Sequence, residues 1–146
     1  MTDTPSSSAS AAATINRLAQ PPRMSEFHPI AARFLYSLRL IAAHERARQD
    51  PVPELAMRLG NVEVAAKALA LAQEIKVIWP DNVSVSRFCC GLLSPDEATL
   101  GALIESAWMR DRARFDRTTD GLLRPERASR LWDGVLSLIN AEVHAA

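Results

Sequence analysis

Apolar residues Ile30, Phe34, Leu38 and Ile41 recur every three or four positions between Pro29 and about Arg48, the spacing that lines one face of an α-helix. Pro29 suits a first helical position, where an N–H would have no partner, and Arg33 and Arg39 are expected to lie away from the apolar stripe. Asp50-Pro51-Val52-Pro53 interrupts the pattern, because each proline lacks a donor and constrains the residue before it. A short helix from Pro53 to Leu59 follows, ended by Gly60-Asn61, a C-cap and turn pair. The next stripe, Val64, Ala68, Leu71, Ile75 and Ile78, must stop at Trp79, since Pro80-Asp81-Asn82 cannot continue a helix. Val83-Ser84-Val85-Ser86 alternates by twos, has no evident strand partner, and is read as loop.

Ser94-Pro95-Asp96-Glu97 is the clearest local signal. The Ser94 hydroxyl can accept from the Glu97 N–H while the Glu97 carboxylate reaches back to the Ser94 N–H, and Pro95 and Asp96 suit a first turn. The helix starting there buries Leu100, Leu103, Ile104, Ala107 and Trp108 and is expected to run into the charged stretch Arg110 to Arg117. Thr118-Thr119-Asp120-Gly121 reads as a turn, and Pro125 opens a last helix with Leu131, Val135, Leu138 and Ile139 on one face. The pattern predicts an all-α fold, a compact bundle of four or five helices forming one domain over residues 24–146. The preceding residues 1–23 are Ser/Ala-rich with few large apolar groups, and predict a disordered tail. Met24 is a candidate alternative start; a transit peptide is the rival reading of the tract, although Arg17 and Arg23 make a weak basic face.

Composition narrows the class. With 48% hydrophobic and 23% charged residues over 146 positions, the chain has the make-up of one folded domain. Lys+Arg and Asp+Glu are 17 each, so no whole-molecule field draws it to nucleic acid or anionic lipid. Charged residues interrupt every apolar stretch before it reaches membrane-spanning length, and no basic-then-apolar signal opens the chain. The expected location is cytoplasmic. The two cysteines, Cys89 and Cys90, are adjacent, which is strained geometry for a disulfide and excludes a secreted disulfide scaffold.

That cysteine pair is the most chemically suggestive feature, since it sits just before a helix N-terminus whose dipole favours a thiolate. Cys89, Cys90 and His44 are the residues a thiol redox or metal sensor would use. No zinc-ligand spacing joins them to His28, His44 or His144, and free cysteine is often buried, so a structural pair is the expectation. His44 lies near the end of the first helix, but no nucleophile elbow, phosphate loop or metalloprotease pattern accompanies it; no catalytic residue and no cofactor is assigned. Residues 53–69 have the outline of a helix-turn-helix, yet the second helix offers only Glu63 and Lys67 where base readout needs Arg, Asn, Gln or Lys. The Arg110 to Arg117 stretch reads as a solvated helix end with Asp111 and Asp116 neutralising its arginines and Phe115 available to stack. Trp79, Trp108 and Trp132 each suit the core or a partner surface.

The Ala42-Ala43-His44 element, with Cys89-Cys90 followed by the Ser94/Asp96/Glu97 helix start, resembles a family of small alphaproteobacterial helical proteins of unknown function, over roughly His28 to Ala107. That family shows a longer cysteine run and a basic element before its third helix, both missing here. The resemblance implies no activity. The expectation is therefore a non-enzymatic helical protein-interaction or accessory module, bound to another protein or to itself. A thiol or metal sensor is the first alternative and a helix-turn-helix regulator the second.

Overall fold

The helical stripes resolve into six α-helices among the described residues of the computed structural model, which are 21–88 and 90–146. They are α1 (Pro29–Arg46), α2 (Val52–Leu59), α3 (Val62–Ile78), α4 (Pro95–Trp108), α5 (Arg112–Thr119) and α6 (Pro125–Ala145), preceded by a single 3-10 turn at Met24–Glu26. Among the described residues the fold is all-α, with one isolated bridge between Arg23 and Leu92 and no helix long and apolar enough to cross a membrane. The tail expected over residues 1–23 lies outside the described residues as far as residue 20. Its last residues are tied to the fold: the Leu93 N–H donates to the Pro22 carbonyl at 2.9 Å and the Met24 N–H to the Gly91 carbonyl at 3.0 Å.

The helix count exceeds four or five because the charged stretch does not continue α4. Arg110 takes a left-handed backbone, φ 56°, which breaks the helix after Trp108, and the Asp111 carboxylate accepts from the Arg114 N–H at 3.0 Å to start a new one. Asp111 is thus an N-cap rather than a neutralising charge. Thr118 and Thr119, expected in a turn, close the short α5.

The other boundaries follow local chemistry. His28 caps α1, its Nδ1 accepting from the Ile30 N–H at 3.2 Å. Gly60, at φ 74°, ends α2 in the left-handed conformation that glycine adopts without a Cβ penalty, and Asn61 immediately caps α3. Both halves of the Ser94/Glu97 capping box are formed. Replacing Ser94 by Ala is expected to lower stability by about 1 kcal/mol, read as a shifted urea midpoint, because the Glu97 N–H loses its acceptor. An unchanged midpoint would mean that the cap adds nothing to the folded state.

α3 packs most extensively on α6 and α1 on α4, and the aliphatic stripes of these four helices make one core that includes Leu35, Leu71, Leu103 and Leu131. Gly101 on α4 lets the Phe27 ring approach: a Cβ built there would lie 2.8 Å from that ring. The N-terminal segment is therefore seated against α4, close to where α4 meets the chain entering it.

Candidate functional site

Arg39 was expected on the polar side of α1, yet its side chain is 1% exposed and that of its partner, Glu97 on α4, is 0% exposed. The Arg39 Nε donates to Glu97 Oε2 at 2.7 Å and Nη2 to Oε1 at 3.1 Å, a two-pronged pair deep between the helices. Two more guanidinium hydrogens reach the loop before α4, donating to the Cys90 carbonyl and, at 3.0 Å, to the Leu92 carbonyl. Glu97 Oε1 also accepts from the backbone N–H groups of Ser94 at 2.9 Å and Ser86 at 3.3 Å. Burial alone would push the Glu97 carboxyl up; the Arg39, Ser94 and Ser86 hydrogen bonds and the Arg39 charge outweigh it and hold the group below its ordinary range. No buried side-chain polar atom among the described residues lacks a partner.

This pair fixes a segment with no regular structure of its own. Asp96 secures its first part, accepting from the Ser84 N–H at 2.7 Å and the Trp79 Nε1 at 3.4 Å, and the Ser94 hydroxyl donates to the Ser84 carbonyl. Its last part is bridged to Arg23. Between these anchors Phe88 is 42% and Leu92 38% exposed. The Phe88 ring stacks at 4.8 Å on Tyr36 of α1, whose hydroxyl accepts from Arg58 of α2 at 2.9 Å. A buried charge pair thus holds the Cys90 and Leu92 carbonyls, while the apolar side chains of Phe88 and Leu92 stand exposed to solvent.

Two larger cavities among the described residues lie elsewhere. One of about 160 Å³ sits between α1, α3 and the Asp81 to Val85 segment, with Leu38, Ile41 and Ile75 in its lining and the Lys76–Glu45 ion pair beside them. Its size suits a benzene-like group. A more open one of about 440 Å³ lies between α5 and α6, where Arg112 and Arg117 are matched by Asp116 and Asp120, so it carries no charge preference.

The structure separates the residues singled out from sequence. Cys89 lies outside the described residues. Cys90 is a free thiol and half-buried rather than enclosed as expected of a structural pair. His44 faces acceptors on both ring nitrogens, Glu54 Oε2 and the Leu40 carbonyl, each at 2.9 Å, which leaves neither nitrogen to a metal. No three His, Cys, Asp or Glu side chains converge among the described residues. Helices α2 and α3 form the helix-turn-helix outline, with Glu63 and Lys67 exposed among alanines and Arg58 engaged by Glu54 and Tyr36. Phe115, expected to be available for stacking, is fully buried; Trp79 is buried, Trp132 half-buried, and Trp108 is 38% exposed, stacked at 4.5 Å on His28. Sequence reasoning found Glu97 as a cap and missed it as the anion of a buried pair.

No family model, no curated protein and no solved structure matches this chain. The likeness to the alphaproteobacterial family rests on the motifs quoted for it alone.

Proposed function

We propose that the chain is a non-enzymatic, cytoplasmic protein-interaction module whose contact surface is formed by Phe88, with Tyr36 beneath it, and Leu92. One observation carries the reading: a fully buried arginine–glutamate pair is spent on the carbonyls of Cys90 and Leu92, in a loop that leaves Phe88 and Leu92 in solvent. Buried ion pairs are generally no more stabilising than apolar residues of the same volume, so conformational definition is a better account of this one than stability. A preset backbone carrying an aromatic and a leucine lowers the ordering cost of association.

The test is affinity capture from cells that carry the chain natively, comparing wild type with Phe88→Ala/Leu92→Ala and assaying zinc and iron in the same eluates. A partner retained at stoichiometric yield by wild type and lost by the double variant is the expected result. Identical eluates would overturn the reading. The thiol-sensor alternative has one observation in its favour, the partial exposure of Cys90, and gains the first place if stoichiometric metal is found and Cys90→Ala releases it.

A further inference from the structure

An arginine stands beside each of the two exposed apolar residues, Phe88 and Leu92. Arg23 stands directly across the bridge from Leu92, an arrangement that puts the two side chains next to each other on one side of the ribbon. Arg87, exposed, immediately precedes Phe88. Arg58, its side chain 47% exposed, holds the hydroxyl of the Tyr36 ring that backs Phe88. Arg58 is itself paired with Glu54, so the unpaired cations beside this face are Arg23 and Arg87. Among the described residues neither Arg23 nor Arg87 has an acid within ion-pair distance. The chain as a whole is neutral, so this is a local excess of positive charge around an apolar centre.

We propose that this face docks an acidic peptide segment of a partner protein, seating an apolar side chain against Phe88 and Leu92 and its carboxylates on Arg23 and Arg87. The proposal rests on the loop being an interaction surface and adds the chemistry of what it takes. Guanidinium groups match carboxylates in a planar, two-pronged fashion, and an apolar centre inside a charged rim is the ordinary anatomy of a protein contact. An anionic membrane shares the charge, but lipid binding needs side chains that reach several ångströms into the bilayer interface. Phe88 lies against Tyr36 and is 42% exposed, and Leu92 is only 38% exposed, so neither stands free as a membrane-inserting wedge. A peptide is the better fit.

The experiment selects a phage-displayed library of random peptides on the full chain, then measures anisotropy of a labelled enriched peptide against wild type, Phe88→Ala/Leu92→Ala and Arg23→Glu/Arg87→Glu. Circular dichroism melting checks that the variants, altered only at exposed side chains, remain folded. Expected are peptides with an aromatic or leucine among Asp and Glu, affinity lowered about tenfold or more by the apolar double variant, and a similar loss with weaker salt dependence on charge reversal. Enrichment of basic or uncharged peptides that still depend on Phe88 and Leu92 overturns the acidic partner and leaves the interaction surface standing. No enrichment, or enrichment indifferent to Phe88 and Leu92, overturns both. Cosedimentation with phosphatidylserine vesicles in place of peptide binding assigns the face to a membrane and overturns the proposal.

Discussion

Replacing Glu97 by Ala is expected to lower the unfolding free energy by about 3–5 kcal/mol, because it leaves the Arg39 guanidinium buried without a counter-charge. Truncation measures the stranded charge as well as the lost contact, so the informative comparison is the double variant Arg39→Met/Glu97→Leu, which fills the space with apolar atoms. It is expected to recover most of the loss in urea denaturation. The loop then loses the donors that hold the Cys90 and Leu92 carbonyls, and Cys90 is expected to react faster with a thiol reagent than in wild type although stability is restored. A double variant as unstable as Glu97→Ala, with an unchanged thiol rate, would assign the pair to stability and remove the case for a preset loop.

The same carboxylate sets an acid limit. Glu97 is held below the usual carboxylate range in the folded state, so its stabilisation is fully present above the unfolded value of about 4.3 and is lost as pH falls through the lower folded value. The stability gap between wild type and Glu97→Gln is therefore expected to be constant from about pH 7 to 5 and to close on further acidification. A gap that persists unchanged in strong acid would mean that Glu97 is not ionised in the native protein.

How much of this could be read from the chain divides by sequence distance. The capping box at Ser94, the Gly60 turn and the proline stops are decided by contacts within a few residues, and all of them stand where the residues imply. Arg39 was misplaced because its burial depends on an acid 58 residues away, which no periodicity reports. A trace of it was present: Leu35 and Ala42 lie on one side of Arg39 around the helix and Leu40 and Ala43 on the other, so the apolar face runs through the arginine rather than stopping beside it. The break after α4 was hidden for a different reason. Left-handed turns are advertised by glycine, and Arg110 adopts one without that signal; Asp111, read as a neutralising charge, is of a residue type that caps helices. The candidate surface was legible least of all, since Phe88 and Leu92 become a surface only once Arg39, Arg23 and Tyr36 meet them from distant parts of the chain.

The break after α4 also predicts where the molecule opens first. Helix α5 has eight residues, too few to be stable in water on its own, and its attachment depends on Phe115, which is fully buried. The Phe115 ring meets Trp132 of α6 edge-on at 5.1 Å and 81°, while Arg112 spans the junction with its guanidinium 5.2 Å from the Trp132 ring and hydrogen-bonds to Asp116 and Ser129. Phe115→Ala is expected to lower stability by about 3–5 kcal/mol, the usual range for removing a buried aromatic, while Phe115→Leu, which keeps most of the volume, loses markedly less. Arg112 alone cannot compensate, since its ion pair with Asp116 is exposed to solvent and contributes little. Hydrogen exchange separates the consequences: in Phe115→Ala the amides of α5 should exchange by a local opening well below the global unfolding energy, with those of α3 and α6 still protected to the global limit. A loss under about 1 kcal/mol with α5 protection unchanged would return this stretch to a solvated helix end, with its aromatic ring outside the core.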